Sequence, residues 1–281
     1  MKLKIIYLSL NYIKDFPYVN MERLLEFLER HDIQRSDRSV YRMFKNLKEE
    51  YGIEVIWDAT KGGYYLPEEE ETTILKFLKL VEHFVTADLF TTNFSDNTKL
   101  LEVVEYEHHR EFVQLEVFKE LLSAIQHRFE VRFSHYSYYH LRQKEYCVKP
   151  LYFKQYQNRW YLIADVQGVF KSFGLDRISE IQTTQVVFQP RLEEAKELYA
   201  GIVGLNYSDS ERQRIVLEFD ISQKPYIESL PMHHTQKEIK TGNANTYTIE
   251  LFIAPNFEFQ QQVQKYGNLV RVVEGEVIIN N

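Results

Sequence analysis

The chain has one cysteine, Cys147, in 281 residues, with ten glycines and seven prolines. A single cysteine excludes an internal disulfide and any zinc site built on paired thiolates. With no base partner in view, Cys147 reads as a small buried strand residue. No run of about 18 apolar residues occurs, so no membrane-spanning helix is expected. The apolar start, MKLKIIYLSLNYIKDFPY, is broken by Asn11, Lys14 and Asp15 before any small-residue cleavage site, and we expect a cytoplasmic protein with no membrane partner. There is no glycine-rich phosphate loop, no Gly-x-Ser-x-Gly and no His-Glu-x-x-His, so neither an enzyme, a cofactor nor a metal site is expected. The pairs His108-His109 and His233-His234 are adjacent, which in a helix or strand turns the rings apart; they read as surface or packing residues.

Tyr and Phe, in contrast, are plentiful at 20 and 19, and 44% of the chain is apolar. Scarce Gly and Pro with many aromatics imply dense helix and sheet joined by short loops. The net charge of −7 is unevenly spread: residues 1–66 carry 11 Lys and Arg against 10 Asp and Glu. Local patches therefore matter more than the total.

The pattern along the chain predicts four parts. In residues 1–67, Leu24, Leu25, Phe27 and Leu28 mark one helix over Met21–Asp32, and Val40, Met43, Phe44 and Leu47 mark a second, capped by Asp37 and stopped by Gly52. Strands at Ile53–Trp57 and Tyr64–Leu66 then flank a turn with Gly62-Gly63. Residues 68–127 read as a helical connector or dimerisation element, with apolar faces Leu75, Leu78, Val81, Val85 and Phe112, Leu115, Phe118, Leu122, Ile125, broken by a loop at TTNFSDN. Over 128–200 the period becomes two, as in a small barrel or strongly bent sheet. Residues 201–281 read as a small α+β domain.

Two constellations could carry function. The helix from Asp37 and its approach present Arg35, Arg38, Ser39, Tyr41, Arg42, Lys45, Asn46 and Lys48, and the hairpin adds Lys61. Arg and Asn suit base edges in a major groove, while Lys and Ser suit phosphates. The second lies in 127–180, which holds nine Lys and Arg against five Asp and Glu. There, alternation in NRWYLIAD puts Arg159 and Tyr161 on one face and Trp160 and Leu162 on the other, the core side.

The stretch DRSVYRMFKNLKEEYGIEVIWDATKGGYYL resembles the winged helix-turn-helix of bacterial regulators. NRWYLIAD with FGLDRISEI resembles the WYL domain, named for its Trp-Tyr-Leu run, here Trp160 to Leu162, and LPMHHTQKEI with VQKYGNLVRVVEG resembles the extension that follows such domains. The resemblance implies an α+β multidomain protein: winged helix-turn-helix, helical connector, Sm/SH3-like β-barrel and a small α+β C-terminal domain that, with the connector, supplies a dimer surface. It implies a ligand-responsive regulator on a double-stranded DNA operator, and proteins of this layout include repressors of phage-defence operons. A single winged helix with about four basic contacts binds weakly at physiological salt, so a homodimer on two half-sites is expected, and repression is expected because occluding an operator needs only DNA binding. The effector would be a nucleotide or oligonucleotide held by Tyr136, Tyr161 and Arg177, to which His135, Lys154 and Arg159 are added for their polar or cationic groups. The competing reading is a nucleic-acid-binding accessory protein without operator specificity.

Overall fold

The computed structural model describes residues 2–68, 71–94, 115–207 and 210–275. The chain divides into two compact units, Met1–His108 and His109–Asn281.

The first unit opens with α1, Lys2–Asp15. The apolar run that lacks a cleavage site is thus a helix, and it buries Ile5, Ile6, Leu10 and Ile13. Helix α2, Met21–Glu29, is capped by Asn20, whose side chain accepts from the Arg23 amide at 2.9 Å. Its Leu24 and Leu28 are buried, and its Phe27 ring stacks on Tyr12 of α1 with centroids 4.1 Å apart. Helix α3, Asp37–Tyr51, has its cap one residue earlier than expected: Ser36 holds the cap position, and Asp37 sits in the first turn, where its charge complements the helix dipole. Gly52 closes the helix in the left-handed conformation, as expected.

Strands β1, Ile56–Asp58, and β2, Gly63–Tyr65, form a hairpin. The first strand starts later than its apolar residues suggested because Ile53 is committed to the core instead. The hairpin is tied to the segment before α2: the Tyr18 amide donates to the Tyr64 carbonyl, and the Tyr64 amide to the Val19 carbonyl, both at 2.7 Å. A side chain at Gly63 would place its Cβ 1.9 Å from the Tyr18 carbonyl oxygen, so only glycine allows this approach. Helix α4, Glu71–Phe94, runs through the start of the expected TTNFSDN loop and packs Ile74, Phe77, Leu78 and Val81 into the same core as α1 to α3. Leu75, expected to be buried, is exposed.

In the second unit, α5, Leu115–His127, belongs with the sheet that follows it. The stretch 68–127, read as one connector, is therefore shared between the two units. The fully buried stripe of α5 is Val117, Leu121 and Ala124; of the expected stripe, Phe118 and Ile125 pack against this core, half-buried, while Leu115 and Leu122 are exposed. Phe112 lies outside the described residues, as do His108 and His109.

The sheet comprises β3 Phe129–Ser137, β4 Arg142–Tyr156, β5 Arg159–Val166, β6 Val169–Gly174 and β7 Ile178–Val187, in the order β6-β5-β4-β3-β7. All neighbours are antiparallel. The long β4 serves two partners: Arg142–Val148 pairs with β3 and Lys149–Tyr156 with β5, with a register shift between Pro150 and Tyr152. Pro150 has no amide to donate, so the break falls where the ladder is weakest, and the sheet bends there. The sheet is bent but open: β6 and β7 remain its two edges, where a closed barrel was expected. Cys147, expected to be buried, is exposed, because β4 alternates and gives the inward position to Val148.

Helix α6, Leu192–Ala200, leads to a four-stranded antiparallel sheet of order β11-β8-β10-β9: β8 Gln213–Asp220, β9 Lys237–Ile239, β10 Thr246–Ile253 and β11 Val270–Glu274. Helices α7, Lys224–Ser229, and α8, Phe257–Gln264, supply Ile227, Phe259 and Val263 to its core. His233 and His234 sit in a turn, so their rings are not forced apart; the centroids are 4.1 Å from one another. Leu151, Ile163 and Phe170 share a core with Tyr199, Ile202 and Ala254, which welds the five-stranded sheet to the C-terminal part.

Candidate functional site

In the first unit, burial of Val40, Phe44 and Leu47 fixes the rotation of α3. The opposite arc therefore faces outward, with Arg38, Tyr41, Arg42, Lys45 and Lys48 exposed and Ser39 and Asn46 half-buried. A groove of about 720 Å³ beside the helix is lined by Arg35, Ser39, Arg42 and Asn46, together with Ile5, Gln34 and Met43. The cations are not equivalent. Lys48 is 2.6 Å from Glu54 and Lys45 is 3.5 Å from Glu49, whereas no acidic partner of Arg38 or Arg42 occurs among the described residues. Lys61, at the hairpin turn, lies 3.8 Å from the centre of the Tyr18 ring, and its pKa is raised chiefly by its bond to the Tyr18 hydroxyl. Tyr41 packs edge-on to Tyr64, and burial with the Tyr41 bond drives the Tyr64 phenol upward. Helix and hairpin are thus joined through aromatic side chains.

In the second unit, a cavity of about 700 Å³ opens between the five-stranded sheet and the C-terminal part. Of the residues expected to meet a ligand, it brings together His135, Tyr161 and Arg177. Tyr136 is absent from the lining: the two-residue period of β3 sends His135 and Ser137 to the cavity and Tyr136 to the other face. Arg159 is drawn aside to Asp176, 3.4 Å away. Lys154 is absent from the lining and half-buried; its amine donates to the Tyr199 carbonyl at 3.5 Å, and burial lowers its pKa against the pull of Glu258. Trp160 and Leu162 pack into the sheet's core as expected, Trp160 edge-on to Phe118.

Arg177 lies in the short helical turn between β6 and β7, 3.7 Å from Asp176, with its guanidinium 4.6 Å from the centre of the Tyr138 ring. His135 is buried beside it. Desolvation, reinforced by the Arg177 charge, lowers the imidazole to about 4. Much of the rest of the lining is aromatic, including Tyr146, Tyr156, Tyr199 and Tyr207, and it also holds Lys171 and Glu258 of α8. Among the described residues, eight buried side-chain atoms lack a hydrogen-bond partner, and four of them, His135 Nε2, Arg177 Nε, Tyr199 Oη and Glu258 Oε2, belong to residues of this cavity. A polar ligand that gave these atoms partners would offset the cost of burying them, so their concentration here marks a place suited to such a ligand. Tyr199, Tyr207 and Glu258 carry no local motif; they are far from the sheet in sequence and reach the cavity only through the packing of the C-terminal part. No group of three or more potential metal ligands occurs among the described residues, and no helix there is long and apolar enough to cross a membrane.

Residues 116–183, from α5 through most of β7, match the family model of the WYL domain, and this part of the chain is a WYL domain. Among solved structures, the chain is similar over 98% of its length to 44% of proteasome accessory factor B/C (PafBC) of Arthrobacter aurescens, at 16% identity and a TM-score of 0.33. It is also similar over 97% of its length to 80% of a CRISPR Cas-related protein, at 13% identity and a TM-score of 0.37. The chain thus spans less than half the length of the first of these. No curated protein matches it.

Proposed function

We propose that the protein is a ligand-responsive, DNA-binding transcriptional regulator and not an enzyme. The first unit is read as a winged helix-turn-helix, with α3 as recognition helix and the β1–β2 hairpin as wing, and the WYL sheet as an open relative of the Sm/SH3-like barrel. The observation that carries the reading is the outward arc of α3, where Arg38 and Arg42 stand exposed beside half-buried Ser39 and Asn46. This arc can offer a guanidinium to guanine and an amide to adenine in a major groove. One such module with a handful of cations binds weakly at physiological salt, which favours a homodimer on two half-sites. Repression follows most simply, since occupancy of an operator needs no further contact. A nucleotide-like anion in the WYL cavity, held at Arg177, would act by binding one arrangement of the dimer more tightly than another.

The two sites can be tested separately. Arg42→Ala should weaken duplex binding, remove its sequence preference and leave nucleotide binding in place. Arg177→Ala should keep duplex binding and lose its response to nucleotide. Loss of both functions in either variant, with the fold intact, would contradict the assignment.

A further inference from the structure

Glu258 has a feature that a site for an anion does not require. It belongs to the first turn of α8, is only 7% exposed and lines the cavity together with Arg177 and the tyrosines. Its two oxygens are used unequally. Oε1 accepts from the Leu205 amide at 3.3 Å, the Asn206 amide at 3.1 Å and the Asn206 side chain at 2.5 Å. Oε2 is equally removed from solvent and has no donor. The carboxylate is therefore clamped by one oxygen while the other is left as an unsatisfied acceptor. Phe257 and Gln261, on either side of Glu258 in α8, are exposed members of the same lining.

The lining thus carries both signs of charge. Arg177 and Lys171 offer positive charge and Glu258 offers a bare acceptor; the Tyr161 phenol feels both, raised by burial, lowered by Arg177 and Arg159, and raised by Asp176 and Glu258. The tyrosines of the lining are suited to stacking on a flat ring.

We infer that Glu258 is a specificity-determining residue, which takes an N–H of an amino group on the ligand's planar ring while Arg177 and Lys171 hold an anionic group. This rests on the reading of the cavity as an effector site. The chemistry it selects is an amino-bearing aromatic ring joined to a phosphate.

Glu258→Gln is the informative change. The amide oxygen can keep the three donors now on Oε1, so the fold should persist, while the amide NH2 replaces Oε2 and turns the acceptor into a donor. Calorimetric binding would be measured for AMP against purine riboside monophosphate, which differ only in the amino group, and for CMP against pyrimidinone riboside monophosphate. For at least one pair, the native protein should prefer the amino-bearing member by about tenfold. Glu258→Gln, with an unchanged melting temperature, should erase that preference, and Arg177→Ala should weaken both members alike. Nucleotide binding that depends on Arg177 but ignores the amino group in both pairs would overturn the role of Glu258 and leave the effector site standing. No binding of any of the four would overturn both.

Discussion

The hairpin's attachment to the segment before α2 yields a sharp prediction, because two adjacent glycines there are needed for different reasons. Gly62 is in the left-handed region at φ 69°, and a Cβ placed on it would meet nothing within 4 Å, whereas Gly63 has the Tyr18 carbonyl oxygen 1.9 Å from where its Cβ would stand. Gly62→Ala should therefore cost only the left-handed penalty, about 1 kcal/mol. Gly63→Ala must push the hairpin off Tyr18 and Val19. It should lose two backbone hydrogen bonds, at about 1 kcal/mol each, and loosen the buried Tyr64, whose ring contacts Trp57, Phe44 and Tyr41, for a total of about 3 kcal/mol. The chain has two tryptophans, Trp57 in the hairpin and Trp160 in the WYL sheet. A Trp160→Phe background leaves Trp57 as the sole indole reporter of the first unit. In urea titrations followed by its fluorescence, Gly63→Ala should lower the midpoint by about 1.5–2 M and Gly62→Ala by less than half as much. Equal effects of the two changes, or a harmless Gly63→Ala, would refute the argument from close approach.

Other expectations follow from charge. Because Lys48 is already paired with Glu54 at 2.6 Å and Arg42 has no such partner among the described residues, Arg42→Ala should weaken duplex binding more than Lys48→Ala, and each lost phosphate contact should flatten the salt dependence by about 0.9 in the log–log slope; anisotropy across a salt series measures both. His135 and His233 are both held near 4, below the free value of 6.5, chiefly by burial. The unfolded chain therefore binds protons first: the stability these residues contribute is complete above about pH 6.5 and is lost as the pH falls towards 4. The melting temperature should fall across that window, and His135→Gln should shallow the fall. A nucleotide phosphate beside His135 should favour its protonated form, so binding at pH 6 should be accompanied by proton uptake, visible as a buffer-dependent heat.

Regular elements with a polar boundary were legible in the sequence. Helix α3 could be read from Val40, Phe44 and Leu47 and its stop at Gly52, and the strands of the WYL sheet from their alternation. The two more apolar helices were harder. In α4 and α5, several apolar stripes overlap, and spacing alone could not choose Ile74 and Phe77 over Leu75, or Val117 and Leu121 over Leu115 and Leu122; the neighbouring core makes that choice. The cavity was half legible for a similar reason. His135, Tyr161 and Arg177 lie on or beside strands whose alternation can be counted, although the same counting should have set Tyr136 on the far face. Glu258 was not legible, because its significance comes from Leu205 and Asn206, more than fifty residues away in the chain.

Sequence-selective duplex binding through α3 is the central claim, and its most direct test is selection from a random duplex pool by the purified protein, followed by anisotropy on the enriched DNA with Arg42→Ala alongside. The account predicts enrichment of an inverted repeat and loss of its preferential binding in the variant. Similar affinity for unrelated duplexes, with tighter binding to single strands, would contradict it and would instead make the protein an accessory nucleic-acid binder whose main site is the WYL cavity.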